Sequence, residues 1–305
     1  YSGGTGLVGG QVDPRQKTSV ILSTERLRKI RDFYLDEKVI IVEAGVILEH
    51  LQEEVSKNNL FFPLALASQG SCRVGGNLAT NAGGVQVLKY GNIRDFCLGI
   101  EAVLPNGDIF NGLKRLRKDN TGYDLKNLLI GSEGTLGLIT AASFRLFPRP
   151  NQICTAILSV KSPAEALELL NFAQELMDDR ISSFELMGHK AVEFVTKCLP
   201  EIKVPMNADS EWFVLIESTS SADQNIHSKF EQFIDLAFEN KLVQDGVIAQ
   251  SEAQRKIYWT FRESIPEANR LVGSISSADI SLPLSEMAEF INVVSHEINL
   301  ISDCQ

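Results

Sequence analysis

Most features that announce a function are scarce in this 305-residue chain. Its five cysteines, at 72, 97, 154, 198 and 304, are scattered, odd in number and form no C-x-x-C pair. That argues against a disulfide framework, an iron–sulfur cluster or a structural zinc, and fits a reducing compartment. The four histidines, at 50, 189, 227 and 296, stand at no metal-ligand spacing. No apolar run approaches the roughly 18 residues that span a bilayer. No basic run supports a nucleic-acid surface. Repeats and low-complexity tracts are absent. Glycine nearly vanishes from the second half, since 19 of the 22 precede residue 138.

What remains is the make-up of an ordinary globular protein, 44% hydrophobic and 22% charged. The net charge of −10 is uneven: residues 1–150 carry +3 and the remainder −13. An anionic small ligand on the second half would need cations placed locally. The length implies two domains. The composition shift falls at Leu146-Phe147-Pro148-Arg149-Pro150-Asn151, where two prolines one residue apart read as a linker. We therefore expect domains over 1–147 and 148–305. The chain opens at Tyr1 inside a loop and reads as a fragment, lacking the start of its first domain.

In the first part, Ser19–Ser23, Val39–Ala44, Cys97–Leu104 and Leu138–Leu146 are expected strands, and Pro105-Asn106-Gly107-Asp108 a hairpin turn. Ile47–Asn58 is the clearest helix, with Leu48, Leu51 and Val55 on one face. In the second part, strands are expected at Ile153–Val160, Ser182–Met187, Trp212–Ser218, Gly246–Gln250 and Asp279–Leu282. Helices are expected at Pro163–Met177, His189–Cys198, Asp223–Asn240, Ser251–Ser264 and Ser285–Ile301, with Pro266 ending or kinking the fourth. The class is α+β. Strands crossed by helices on one face point to a ferredoxin-like sheet in the second part.

Thirteen of the glycines fall in three segments, 2–10, 70–84 and 131–137. Glycine weakens helices and strands, so such density marks places where the main chain approaches something closely. The first segment carries no charge and the second only Arg73. Loops that offer main-chain N–H groups in place of side chains cradle pyrophosphate. A P-loop would need Gly-Lys-Ser/Thr, and a Rossmann fingerprint would need a helix after the loop. Here Gln11-Val12-Asp13-Pro14 reads as a turn. In the second segment Arg73 supplies a cation for a phosphate or flavin oxygen, and Asn77, Thr80 and Asn81 can donate to ring heteroatoms or phosphates.

Together with Arg117-Lys118-Asp119-Asn120-Thr121-Gly122-Tyr123-Asp124-Leu125-Lys126, these segments resemble the FAD-binding domain of the vanillyl-alcohol oxidase/p-cresol methylhydroxylase superfamily. Within it they are similar to the flavin-dependent D-2-hydroxyacid dehydrogenases, nearest to those acting on D-2-hydroxyglutarate and D-lactate. The resemblance implies a two-subdomain FAD-binding domain followed by a partial ferredoxin-like substrate (cap) domain. It assigns Gly3, Gly4, Thr5, Gly6, Leu7, Gly9 and Gly10 to the pyrophosphate loop. Ser71, Arg73, Gly75, Gly76, Asn77, Thr80, Asn81, Gly83 and Gly84 line flavin and diphosphate, and Glu133, Gly134 and Ile139 fall at the adenine end. With no histidine in a Gly-rich segment, the FAD is expected to be non-covalent.

The resemblance implies oxidation of a D-2-hydroxyacid to the 2-oxoacid by hydride transfer to FAD. Electrons would then pass to an electron-transfer flavoprotein, quinone or cytochrome. Arg262 matches the arginine that pairs with the substrate carboxylate, a role suited to a guanidinium; otherwise it would form an ion pair with Glu263 or Asp279. Ser277 and Pro266 stand where hydroxyglutarate enzymes carry a lysine and a threonine that read the distal carboxylate. The family's divalent metal, such as zinc, and its base lie in a segment beyond Gln305, so the fragment alone is expected to be inactive. A glycolate oxidase or D-lactate dehydrogenase activity, or a truncated flavin-binding protein without catalysis, are the alternatives. A homodimer in the cytoplasm or mitochondrial matrix, with no nucleic-acid partner and no transmembrane segment, completes the expectation.

Overall fold

The computed structural model describes residues 1–9, 20–207, 209–222, 225–273 and 275–301. Gly10, the turn expected at Gln11–Pro14, Ser19 and the first two residues of the helix expected from Asp223 lie outside them. The chain divides into two compact units, Tyr1–Arg149 and Pro150–Gln305.

The first unit runs β1 (Ile30–Tyr34), β2 (Val39–Glu43), α1 (Leu48–Lys57), β3 (Leu60–Phe61), α2 (Val74–Ala79), α3 (Val87–Tyr90) and α4 (Ile93–Phe96). It continues through β4 (Cys97–Val103), β5 (Ile109–Gly112), α5 (Leu125–Leu129), β6 (Leu138–Arg145) and β7 (Phe147–Pro148). Five strands form an antiparallel sheet in the order β1-β2-β6-β4-β5. The hairpin between β4 and β5 pairs Val103 with Ile109. Leu48, Leu51 and Val55 of α1 are buried. They share a core with Phe62, whose ring meets Phe96 and Phe144 edge-on at 5.3 and 5.1 Å. Such aromatic contacts stabilise beyond the area they bury.

Two local readings needed correction. Val20 to Ser23 forms no strand; Val20, Ile21 and Leu22 are exposed, and a strand without a ladder partner gains nothing from β-branched residues. Residues 74–79 are helical although they contain Gly75 and Gly76, because packing against the Ala44–Val46 backbone outweighs weak propensity.

The second unit runs β8 (Gln152–Val160), α6 (Pro163–Met177), β9 (Ile181–Gly188), α7 (His189–Cys198), β10 (Trp212–Ser220), α8 (Ile226–Glu239), β11 (Asp245–Ile248), α9 (Glu252–Val272) and α10 (Met287–Ile301). Its sheet is antiparallel in the order β11-β8-β10-β9, the ferredoxin-like arrangement. Ser162 caps α6 by accepting from the Glu165 amide at 3.2 Å, with Pro163 opening the helix. Helices cover both faces of this sheet, not one. Leu158, Val214 and Ile216 pack with α6 and α8, while Ile157, Phe213 and Leu215 pack with α7 and α9. Strands β8 and β10 are apolar at successive residues because both faces are buried. Helix α9 runs through Pro266 to Val272, so the proline does not end it. Asp279–Leu282 is not a strand; it is exposed and has no ladder partner. No described helix is long and apolar enough to cross a membrane.

A row of polar side chains ties four strands of the first sheet together. Arg31 on β1 donates to Glu43 on β2 at 3.2 Å and grips Glu101 on β4 with both terminal nitrogens at 2.9 and 3.0 Å. Thr140 on β6 donates to the same Glu101 carboxylate at 2.7 Å. The Arg31 bonds, aided by Thr140, hold the Glu101 carboxyl below the usual carboxylate range against the opposing effect of burial. Such a carboxyl adds stability above its unfolded pKa of about 4.3 and loses it as pH falls through the lower folded value. We expect Arg31→Ala to cost about 1 kcal/mol at neutral pH. In urea melts, the gap between variant and parent should close on acidification through the carboxylate range. A gap indifferent to acid would show that the Glu101 charge contributes nothing.

Candidate functional site

The three glycine-rich segments meet around α2. At its start, the chain at Cys72–Gly75 pairs with Ala44–Leu48: Leu48 N donates to Cys72 O at 3.1 Å, Val74 N to Val46 O at 3.0 Å and Gly75 N to Ala44 O at 2.7 Å. A Cβ on Gly75 would sit 2.6 Å from the Ala44 Cβ, so only glycine allows this approach. The first segment lies on the outer side. Ser2 Oγ accepts from the Gly76 amide at 3.1 Å, and a Cβ on Gly3 would stand 2.8 Å from Cys72 Cα. The third segment closes the far end of α2, where Gly131 N donates to Leu78 O at 3.0 Å and Glu133 N to Ala79 O at 2.9 Å.

Within this cluster the expected site residues differ in what they offer. The amides of Gly3, Thr5, Leu7, Val8 and Gly9 bond to no described residue. Leu7 is 99% exposed, and Gly4 and Gly9 have positive φ. Gly6 lies between them in the same loop. Arg73 donates Nη2 to Glu25 at 3.0 Å, while its buried Nε has no partner. A buried N–H of this kind is costly unless something accepts from it. Glu133 and Gly134 both adopt positive φ, at 50° and 80°. These features suit an anionic dinucleotide: idle main-chain donors, an orphaned guanidinium N–H and glycines that let a ligand come close. By this test the residues fit FAD.

Other expected residues are committed to the protein itself. Asn77 is buried and donates to Cys72 Sγ at 3.6 Å. Thr80 donates to Gly76 O at 3.1 Å, Ser71 to Ser68 O at 3.3 Å, and Asn81 Oδ1 accepts from Arg94 N at 3.2 Å. Side chains at Gly83 and Gly84 would run into Asn92 and the Ala65 carbonyl. Ile139 belongs to the core. At these positions the sequence pattern serves packing, leaving chiefly main-chain atoms for a ligand. Ser2, Glu25 and Arg94 were missed. Arg94 donates to the carbonyls of Asn127 and Ile130 at 2.7 and 2.8 Å and so fixes the third segment. Only Ser2, which lies inside a glycine-rich segment, carried a hint of its role. The charged stretch from Leu116 to Asn127 lines a separate cleft of about 550 Å³, with Tyr123 94% exposed.

In the second unit, α9 carries Arg255 and Arg262 against the sheet. Arg255 donates Nε to Glu217 at 2.8 Å and Nη1 to Glu252 at 2.8 Å. Glu217 is 1% exposed and also accepts from Trp259 Nε1 and Thr155 Oγ1, each at 2.8 Å. A buried carboxylate is tolerable only when so fully bonded. Arg262 pairs with neither Glu263 nor Asp279: its Nε and Nη2 both donate to Glu185 Oε2 on β9, at 2.8 and 2.6 Å. The sequence offered Glu263 and Asp279; the sheet supplied the partner. Two buried thiols, Cys97 and Cys154, are pushed up to about 12 by burial and are poor nucleophiles.

Comparison with known proteins agrees with this division. Residues 1–112 match the family described as FAD binding domain, and residues 149–299 match FAD linked oxidases, C-terminal domain. The mitochondrial D-2-hydroxyglutarate dehydrogenase of Arabidopsis thaliana is 38% identical over 290 residues, which is 95% of this chain and 52% of that protein. A putative mitochondrial D-lactate dehydrogenase of Schizosaccharomyces pombe is 36% identical over 305 residues, 99% of this chain and 57% of that protein. This chain thus spans little more than half the length of these relatives. A solved structure of alkyldihydroxyacetonephosphate synthase, 18% identical, shares the fold with a TM-score of 0.73 over 99% of this chain and 60% of that one. The two domain matches lie on the two units described above, and the chain is thus similar to an FAD binding domain followed by the C-terminal domain of FAD linked oxidases.

Proposed function

We propose that this chain is the cofactor- and substrate-binding part of a flavin-dependent D-2-hydroxyacid dehydrogenase. The observation that carries the proposal is the meeting of three glycine-rich segments at α2, with main-chain donors idle and Arg73 Nε buried without an acceptor. FAD, when bound, supplies the two-electron acceptor for hydride leaving the α-carbon of the hydroxyacid. The chain's own part is to bind and orient. The amides of Gly3, Thr5, Leu7, Val8 and Gly9 donate to the diphosphate, Arg73 adds a cation, and the Glu133–Gly134 turn meets the adenine end. Arg262 holds the substrate carboxylate through the N–H groups that Glu185 leaves open.

The flavin is held without a covalent bond: the glycine-rich segments contain no histidine, and their one cysteine, Cys72, is buried beside Asn77. The related proteins named above point to D-2-hydroxyglutarate or D-lactate as substrate, and to the mitochondrial matrix before the cytoplasm as location. A monocarboxylate such as D-lactate is the reading favoured by Pro266 and by the exposed Ser277, neither of which offers a cation to a second carboxylate. Electrons then leave for a separate acceptor, an electron-transfer flavoprotein, quinone or cytochrome, and the working unit is a homodimer.

Purified protein should be yellow or take up added FAD with a flavin absorbance band that survives gel filtration. A colourless product that refuses FAD would refute the proposal. Arg73→Ala should weaken FAD retention about tenfold or more, the worth of a charged hydrogen bond. Equilibrium dialysis against FAD reads this directly, and unchanged retention would remove Arg73 from the site. In the FAD-loaded full-length enzyme, Arg262→Ala should raise KM for D-lactate and D-2-hydroxyglutarate by at least about tenfold. An unaltered KM for both acids would refute the carboxylate clamp.

A further inference from the structure

The sheet face beneath α9 changes character along its length. Side chains alternate between faces of a strand. That places Met187, Phe213, Leu215 and Ile157 in the apolar core shared with α7 and α9. The same alternation puts Ser183 and Glu185 of β9, Glu217 of β10 and Thr155 of β8 on this face. Glu217 lies directly opposite both Thr155 and Ser183 in the ladder. One end of the face is therefore a polar row set against the two arginines of α9.

The two acidic residues in this row do different work. Glu217 is sealed, and its bonds from Arg255, Trp259 and Thr155 fasten the first turns of α9 to the sheet. Glu185 is partly accessible, its side chain 18% exposed against 30% for Arg262. It uses a single oxygen, Oε2, to accept from Nε and Nη2 of Arg262. A guanidinium has two edges that can meet a carboxylate: the side edge formed by Nε and one terminal nitrogen, and the end edge formed by the two terminal nitrogens. Glu185 occupies the side edge, so the end edge remains for another carboxylate. Two residues along the same face, the buried Ser183 hydroxyl has no partner among the described residues. The protein has not exhausted the polar capacity of this face.

We infer that Glu185 is a positioning residue for substrate recognition: by taking the side edge of Arg262 it fixes the guanidinium plane and directs the hydroxyacid carboxylate to the end edge. This rests on the reading of Arg262 as the carboxylate clamp. Without Glu185, Arg262 keeps its charge but loses its orientation, and four rotatable side-chain bonds then spread the guanidinium over many positions. Glutamine at this position keeps an oxygen able to accept from both Nε and Nη2. Geometry, and not the extra negative charge, is therefore the operative property.

The test compares Glu185→Ala, Glu185→Gln and Arg262→Ala in the FAD-loaded full-length enzyme, measuring KM and kcat with D-lactate and D-2-hydroxyglutarate. Binding of pyruvate and 2-oxoglutarate by calorimetry gives a readout independent of turnover. We expect Glu185→Ala to raise KM and the oxoacid Kd about tenfold, with kcat changed less than KM. Glu185→Gln should restore both constants to within about threefold of the parent. If Arg262→Ala weakens binding while Glu185→Ala does not, or if Gln fails to rescue, the positioning role is overturned and the clamp stands. If Arg262→Ala leaves binding unchanged, the clamp falls and this inference falls with it. Loss of kcat alone in Glu185→Ala, at parental Kd, would also overturn it.

Discussion

The first unit depends on backbone lying against backbone where the first turn of α2 meets Ala44. Gly75 has no side chain, so its amide reaches the Ala44 carbonyl at 2.7 Å, and this approach sets the position of everything that follows. The glycine-rich chain then crosses the core wall as a short helix, leaving its outer surface to Ser2 and Gly3 and its end to Gly131 and Glu133. Several close approaches between main chains replace the ionic contacts a charged pocket would need. A site made this way is set by main-chain geometry, and its donors stay where the fold puts them.

The second unit solves a different problem, that of placing cations on an otherwise acidic surface. Residues 151–305 carry −13 overall, yet Arg255 and Arg262 face the sheet from one helix. Burial lowers the Arg255 pKa, but the bonds and charge of Glu217 more than offset this, so its pKa ends above the ordinary value. Arg255 thus acts as an anchor. Arg262, seven residues on, is left with part of its hydrogen-bonding capacity open. The same residue type serves structure at one position and, in the function proposed, recognition at the other, and the difference lies in how many acceptors surround it.

Much of this could be read from the chain. Pro163–Met177 and His189–Cys198 have the expected bounds: a serine cap, an opening proline and apolar periodicity agree at the first, and apolar periodicity alone marks the second. The glycine-rich segments marked where main chains come close, because few other demands explain such composition. What escaped was set by tertiary contact. Strand β1, Ile-Arg-Asp-Phe-Tyr, lies at the sheet edge, carries a bulge and mixes charge into its pattern, so alternation fails. Helix α2 violates propensity. The partner of Arg262 is 77 residues away, beyond any local rule. The assignment of Asn77 and Ile139 to a ligand followed their place in a motif, whereas each side chain points into the protein.

Pro266 sits four residues after Arg262 inside α9. Lacking an amide hydrogen, it cannot close the helical bond to the carbonyl of residue 262, and its ring crowds that oxygen. The residue that extends a guanidinium toward the sheet therefore also carries the one main-chain oxygen of this stretch whose usual amide donor, four residues on, is a proline.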